Sequence, residues 1–345
     1  MCVGAAGGFA LDQFNVPLAW LLGSLLTTTV LSIANAPIAM PRNLRNVGTA
    51  VLGVLLGSKI TPAYFTNAAE WSISLVGLLI FVLLVTTICY FYLERVGGYS
   101  RADAYFGSIP GGLNDMTLIG GQMGANERVV ALTHASRLLF TVGLMPVFLL
   151  LFAGAHVAPF QGTVGGGATL DAYDIILMLA AGATGLMVTS WLKVPGGSLI
   201  GPLVLFGLLT FLGATHATPP YWLVAVAQVV CGAAIGVRFR NVSYRILFPT
   251  MVVALGATLM QLNFSLLFAI LVNLVSGLPI GDTILAFAPG GQAEMSLLGL
   301  SMGGDIAFIT LHSTFRATGA ILLAPVIFRT FVQPSRIAGA EPTRD

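Results

Sequence analysis

The sequence predicts an all-α membrane protein with about 10–12 spans, built from two homologous repeats that each contain a helix broken at Pro-Gly-Gly. Three observations lead to this prediction. Only 8% of the 345 residues are charged and 57% are hydrophobic, whereas a soluble domain has roughly 25% charged residues. Apolar segments approaching the roughly 20 residues that a spanning helix needs recur along the whole chain. Two of these segments, one in each half, are interrupted by Pro-Gly-Gly at corresponding places.

The apolar segments give the order of the expected spans. They lie at residues 4–33, 46–60, 69–93, 102–123, 128–153, 173–191, 195–213, 220–237, 245–275, 282–302 and 306–331. The first is expected to break near Pro17. The segment 69–93 has Trp71 at one end and Tyr90 and Tyr92 at the other, as an aromatic belt at the two membrane surfaces predicts.

A Gly-rich stretch at residues 154–170 is the expected linker between two membrane repeats, at 1–153 and 171–332, with a polar tail at 333–345. Short motifs recur in both halves at an almost constant offset. The matched residues are Val16-Pro17 with Val194-Pro195, Gly53 and Gly57 with Gly232 and Gly236, Asp103 with Asp282, Arg137 with Arg316, and Pro146 with Pro325. The direction of the repeats, parallel or inverted, stays open because the basic loop residues are expected on both sides of the membrane.

The two Pro-Gly-Gly elements are expected to divide a helix at membrane depth. Proline removes a hydrogen-bond donor and glycine permits unusual backbone angles, so the first half-helix should end near Ile109 and the second should start near Leu113. Free backbone groups at this depth are tolerated only inside protein or in a wet cavity. Breaks at corresponding places of two repeats are the strongest sequence indication of the substrate site of a transporter.

Four charged residues fall inside the expected spans: Asp115, Arg137, Glu294 and Arg316. Each arginine follows its acid by 22 residues, and Arg137 should lie roughly 14 Å deep, near the midplane. A charge there costs at least ~2.5–3.5 kcal/mol unless it is paired or hydrated. The four residues are therefore expected either to face a polar cavity or to form structural ion pairs, Asp115 with Arg137 and Glu294 with Arg316.

The predicted solute or ion site combines both breaks with these charged residues. It consists of Pro110, Gly111, Gly112, Asn114, Asp115, Arg137, Pro289, Gly290, Gly291, Glu294 and Arg316. His134 and His312 share a helix face with the arginines that follow them, and they are interpreted either as a proton relay or as packing residues. No catalytic residues, metal site or cofactor are predicted, because the four histidines and three cysteines are dispersed along the chain.

Enzyme and nucleic-acid functions are not indicated. The sequence has no Walker lysine, no G-x-S-x-G and no H-E-x-x-H, and its net charge of +2 gives no nucleic-acid footprint. The leading hypothesis is a secondary transporter of a small polar or anionic solute, with an H⁺ or Na⁺ gradient as energy source. In it the acids bind the coupling cation, or a cationic substrate, and the arginines hold an anion. The alternative is a membrane regulator that transports nothing, and a third hypothesis is a membrane oxidase.

The doubled element, with Pro110-Gly111-Gly112 before Asp115-Met116 and Pro289-Gly290-Gly291 before Glu294-Met295, resembles the AbrB family of bacterial membrane proteins. That family carries the AbrB duplication domain, is distinct from the soluble DNA-binding proteins of the same name, and would cover nearly the whole chain. The resemblance implies a multi-pass protein of the bacterial inner membrane. Family members carry the labels of a gene regulator or of an ammonia monooxygenase, and the dispersed histidines fit the second label poorly.

Overall fold

The computed structural model describes residues 1–60, 71–154 and 171–332, and these ranges form helices joined by turns. The helices are α1 Cys2–Asp12, α2 Ala19–Ile33, α3 Arg42–Gly57, α4 Trp71–Arg95, α5 Arg101–Ser108, α6 Leu113–Gln122, α7 Glu127–Ala153, α8 Ala172–Trp191, α9 Gly197–Phe211, α10 Tyr221–Gly236, α11 Tyr244–Ser276, α12 Ile280–Phe287, α13 Gln292–Met302 and α14 Ile306–Ile327. The all-α class is confirmed. The predicted tail and, apart from Gly154, the predicted linker lie outside the described residues, and the domain boundaries stay predictions.

Several helices are long and apolar enough to cross a membrane. Within the described ranges six meet this condition: α4, α7, α8, α11, α10 with the 3-10 turn Val237–Phe239, and α14 with the π-helical turn Phe328–Val332. Their outward surfaces carry many exposed leucine, valine, isoleucine and phenylalanine side chains, which water would disfavour and lipid accommodates. The chain is a multi-pass membrane protein.

The corresponding helices α4 and α11 run antiparallel to each other. Gly77 of α4 faces Val272 of α11, while Gly97, which follows α4, faces Val253. Between these points the Cys89 thiol donates to the Ala257 carbonyl at 3.9 Å. Because the two helices occupy the same place in their repeats, the repeats have inverted topology. The sequence had left this choice open.

Small residues allow helices of different repeats to pack closely. A Cβ atom added to Gly53 of α3 would overlap the Leu199 carbonyl oxygen of α9, and one added to Gly232 of α10 would overlap the Leu21 carbonyl oxygen of α2. Without a side chain at these positions the backbones approach each other closely, as in other membrane helix pairs. The predicted glycine seams therefore join the two halves to each other.

Each Pro-Gly-Gly element lies at the tip of a re-entrant hairpin. The backbone N–H of Asn126, which precedes α7, donates to Oδ1 of Asp103 in α5 at 2.6 Å. The chain therefore returns through α6 to the same membrane face from which it entered through α5. The second hairpin repeats this contact, with the N–H of Asp305 donating to Oδ2 of Asp282 at 3.1 Å. Half-helices of 8 to 11 residues reach ~12–16 Å, about half of the bilayer core.

Hydrogen bonds between connecting segments show which helix ends lie on the same face of the membrane. Arg128, at the start of α7, donates to the Asn241 carbonyl at 2.5 Å, and Arg240 donates to the Ile38 carbonyl at 2.8 Å. The start of α7, the α10–α11 connection and the α2–α3 connection therefore lie on one face, which is also where the first hairpin enters. The second hairpin enters from the opposite face, because the repeats are inverted.

Basic residues concentrate on the face where the first hairpin enters, which we call the arginine-rich face. Tracing the helices from the contacts above places there Arg45, Arg95, Arg101, Arg128, Lys193, Arg238, Arg240, Arg245 and Arg329. The described part of the opposite face carries Lys59 as its one lysine or arginine. The expectation that the basic loop residues divide between both sides was wrong, since it treated the two repeats without knowledge of their relative direction.

Candidate functional site

Two arginines hold the hairpin tips from the adjacent helices. Arg137 of α7 donates to the carbonyls of Ile109 at 2.8 Å and Gly111 at 3.1 Å. Both acceptors lie just past the end of α5, where a helix leaves carbonyl groups without intrahelical partners. The planar guanidinium has a fork of donors that can reach two carbonyls at once, so it stabilises the break and offsets the negative end of the half-helix dipole.

The second repeat has the same arrangement. Arg316 of α14 donates to the carbonyls of Phe287 at 2.9 Å, Ala288, and Gly290 at 3.1 Å. Both arginines are only 4% exposed. Within the described ranges neither forms an ion pair with an acid, and the structure contains a different pair, Arg101 with Glu94 at 3.4 Å. Of the two alternatives for these residues, ion pairs of the arginines with Asp115 and Glu294 are not formed, because bare carbonyls at the breaks take the guanidinium donors.

The two acids lie at the start of the second half-helices. Asp115 and Glu294 are each the third residue of their helix, after the N-cap residues Gly112 and Gly291. Their carboxylates fold back toward these glycines: an added Cβ at Gly112 would lie 2.5 Å from Asp115 Oδ2, and one at Gly291 would overlap Glu294 Oε2. An acid at this position stabilises the exposed N–H groups and the positive end of the helix dipole.

The glycines of the break are needed because a side chain there would not fit, and not because of their backbone conformation. The φ angles of Gly112 and Gly291 are −66° and −75°, which any residue adopts. A side chain at either position would instead collide with the acid. At Gly111 an added Cβ would lie 2.9 Å from Met116. The freedom that glycine permits is therefore not used at Gly112 and Gly291, and the Pro-Gly-Gly-x-x-acid-Met pattern reflects close packing at the tip.

A cavity of ≈ 460 Å³ lies where the two hairpin tips meet. Its lining includes most of the predicted site: Pro110, Gly111, Gly112, Asn114, Asp115, Gly290, Gly291, Glu294 and Arg316. Of the other predicted residues, Arg137 and Pro289 lie outside the lining. Arg137 contributes indirectly, because it holds the Gly111 carbonyl at the cavity wall.

The two histidines lie away from the cavity lining. His134 is fully buried, and its Nε2 lies 2.9 Å from the Phe106 carbonyl oxygen. His312 is also fully buried, with Nε2 at 2.7 Å from the Ser74 hydroxyl and Nδ1 at 2.8 Å from the Phe308 carbonyl oxygen. These contacts fit a packing role, and the proton relay stays a prediction. In the described part of the chain, no three His, Cys, Asp or Glu side chains are grouped so that they could hold a metal ion.

Several lining residues were missed by sequence reasoning. Arg45 comes from α3, Lys193 from the α8–α9 connection, and Ser313 from α14 beside Arg316. Gln292 at the second tip donates to the Thr314 hydroxyl at 3.2 Å. Arg45 and Lys193 looked like ordinary loop charges, since they are remote in sequence from both breaks. The position of Lys193 directly before the repeated Val-Pro motif was the one available signal.

The cavity reaches one face of the membrane. On α3 it is lined by Arg45 and by Asn46, which is exposed, close to the arginine-rich face. The corresponding residues of α10 are Val224 and Ala225, which are 0% and 7% exposed. At these two positions the symmetry-related passage toward the opposite face is therefore filled by buried apolar side chains.

A second groove lies on the lipid side of Arg316. It has a volume of ≈ 620 Å³ and runs between α4 and α14, where residues such as Leu79, Leu83, Leu323 and Phe331 line it. Its apolar lining suits hydrocarbon rather than a polar solute. The cavity between the hairpin tips is accordingly the candidate site.

The chain matches one known family and two named relatives over most of its length. The family described as "Transition state regulatory protein AbrB" matches residues 20–332. The Bacillus subtilis (strain 168) protein named "Uncharacterized protein YhjN" is 27% identical over 352 residues, covering 95% of this chain and 91% of its own length. The Escherichia coli (strain K12) protein named "Putative regulator AbrB" is 26% identical over 326 residues, covering 91% of this chain and 90% of its own. Since the family match spans nearly all of the described membrane region, the chain belongs to the AbrB family.

Proposed function

We propose that this protein is a secondary transporter of a small polar or anionic solute, which binds between the two hairpin tips near the membrane midplane. The observation that carries the proposal is the meeting of two re-entrant hairpins, from opposite faces, at one polar cavity. Inverted repeats with broken helices at the midplane are the architecture of many secondary transporters. A site that is open toward one face and closed toward the other also suits alternating access.

The closed passage indicates how access would alternate. In the described conformation the rim at Arg45 and Asn46 is open, and the corresponding α10 positions are packed shut. Because the repeats are inverted copies, exchanging their two conformations would close the first passage and open the second. With no ATPase motif in the sequence, an H⁺ or Na⁺ gradient is the proposed energy source, and Asp115 and Glu294 are the proposed coupling groups.

The distribution of basic residues supports an orientation in the bacterial plasma membrane. Cytoplasmic connections of membrane proteins carry an excess of Lys and Arg, so the arginine-rich face is proposed to be cytoplasmic. The described conformation is then open to the cytoplasm.

Cysteine labelling tests this orientation. In a background with Cys2 and Cys231 replaced by serine, Asn46→Cys should react with a membrane-impermeant maleimide in inside-out vesicles and not in intact spheroplasts. Phe14→Cys, in the 78% exposed position between α1 and α2 on the opposite face, should show the reverse pattern. Ala225→Cys, the buried counterpart of Asn46→Cys, should react slowly from either side. Labelling of Asn46→Cys from outside the cell would contradict the orientation.

Replacing the acids tests the transport mechanism. Asp115→Asn and Glu294→Gln in proteoliposomes should lower gradient-driven solute flux by roughly tenfold or more, because each keeps the shape of the side chain but removes the negative charge proposed to bind the coupling cation, and a loss of about 1.4 kcal/mol is already tenfold. The solute to be used is the one that most raises the thermal stability of the wild-type protein in a ligand screen. Glu127→Gln, an exposed acid outside the cavity lining, is the control. Wild-type flux in folded Asp115→Asn and Glu294→Gln proteins would exclude the acids as coupling residues.

A regulatory function is the second candidate, favoured by the name of the Escherichia coli relative. A transporter could influence gene expression indirectly by changing the level of a metabolite. A regulator that transports nothing would need a stable partner. Co-purification of one cytosolic protein in stoichiometric amount, with no flux of any stabilising solute, would favour that alternative.

A further inference from the structure

The charges around the cavity do not cancel. Asp115 and Glu294 compensate the positive ends of their own half-helices. Arg316 at the lining and Arg137 behind it likewise offset the negative ends of the first half-helices through their carbonyls. Arg45 and Lys193 add two further cations to the lining. The lining therefore carries three cations, Arg316, Arg45 and Lys193, against the two acids, which leaves an excess of one positive charge.

Three helices begin at the cavity wall. The first turns of α6, α9 and α13 all contribute lining residues, at Gly112, Gly197 and Gly291 among others. Each of these helices has at least 10 residues. Helix N-termini present N–H groups and a positive partial charge, which favour bound anions. At α6 and α13 the acids offset part of this positive partial charge, whereas the first turn of α9 contains no acid.

Ser313 gives an independent indication of a ligand. Its side chain is fully buried and lines the cavity, yet its hydroxyl has no hydrogen-bond partner in the described structure. The Nε of Arg316, one turn further along α14, is also without a partner. Buried polar atoms in folded proteins are nearly always hydrogen-bonded. Two such donors on one helix face, at the wall of a cationic cavity, are complementary to a ligand with acceptor oxygens.

We propose that the cavity binds a small oxyanion, such as a carboxylate, which accepts hydrogen bonds from Ser313 and is attracted from the arginine-rich face by Arg45 and Lys193. This proposal rests on the proposed function and names the substrate class of the same site. The volume of ≈ 460 Å³ lies within the range of roughly 300–1,000 Å³ typical of small-molecule pockets. Inorganic and organic oxyanions share the required chemistry, so the test includes both.

Thermal unfolding of the purified full-length protein in detergent tests the substrate class. Sodium succinate, acetate and sulfate are compared with succinamide and with choline chloride at equal ionic strength. At least one oxyanion should raise the melting temperature with a saturating concentration dependence, and succinamide, the uncharged counterpart of succinate, should not. Stabilisation by succinamide or choline alone would overturn the proposal, as would no saturable stabilisation by any of the three oxyanions.

Matched variants test the position of the ligand. Ser313→Ala should weaken the affinity for the stabilising oxyanion by roughly tenfold or more. Lys193→Gln should weaken it a few-fold, with a smaller effect at high salt. Lys59→Gln, on the opposite face, should leave the affinity unchanged. Equal affinities in all three variants and the wild type would place binding elsewhere and overturn the proposal.

The result also separates this proposal from that of transport. Saturable oxyanion binding that depends on Ser313, without flux in proteoliposomes, would retain the ligand class and reject transport. Flux of a neutral or cationic solute, with no competition from oxyanions, would retain transport and reject the ligand class.

Discussion

Replacing Arg316 with methionine is expected to lower the free energy of unfolding by about 3–5 kcal/mol. The guanidinium supplies hydrogen bonds to the Phe287, Ala288 and Gly290 carbonyls at the tip of the second hairpin. Methionine fills similar space and removes the buried charge, but it leaves these acceptors without a donor. Reversible unfolding in mixed detergent micelles would measure the loss. The free energy of unfolding of Arg316→Lys should lie between those of the wild type and Arg316→Met. An ammonium group keeps a donor at the tip, but it cannot span several carbonyls as a planar guanidinium does.

The control for this experiment is Arg329→Met, at an exposed position in the π-helical turn that follows α14. A surface change of this kind should alter the free energy of unfolding by less than about 0.5 kcal/mol. Arg137→Met should behave like Arg316→Met, since it holds the first tip by equivalent bonds. Unfolding of Arg316→Met at the same denaturant concentration as Arg329→Met would show that the tip carbonyls do not depend on the guanidinium.

The second large effect is expected at a helix contact in the second repeat. Gly201→Ala should lower the free energy of unfolding by roughly 1–3 kcal/mol, because the added methyl group would overlap the Gly185 carbonyl oxygen and separate α8 from α9. Gly143→Ala in α7 is the matched control, with no heavy atom within 4 Å of the added Cβ. It should raise stability by up to about 1 kcal/mol through the helix propensity of alanine. Effects of the same sign and size at both glycines would contradict the close approach of α8 and α9.

Much of the local structure could be predicted from the sequence. The breaks were expected at Ile109 and Leu113, and α5 ends at Ser108 while α6 begins at Leu113. Proline and the following glycines interrupt helical hydrogen bonding wherever the chain goes afterwards, so this information is local. Arg137 was likewise expected inside the following helix, and it lies buried within α7.

The partners of the buried charges could not be predicted in this way. Equal spacing of Asp115 to Arg137 and of Glu294 to Arg316 suggested ion pairs, but spacing along two different helices does not specify which atoms meet. The hairpin turn decides that each arginine faces the end of the first half-helix and each acid caps the second. Here the carbonyl oxygens at the breaks accept from the guanidinium groups, and no side-chain pattern in the sequence reports their position.

By itself, the sequence determined that this chain is a multi-pass helical protein with two corresponding breaks, because hydropathy, proline and glycine act within a few residues. The tertiary structure decided the inverted direction of the repeats, through the antiparallel packing of α4 against α11. It also brought Arg45 and Lys193 to the hairpin tips. Such contacts join residues far apart in the chain, and they depend on how whole helices pack, so a local pattern does not contain them.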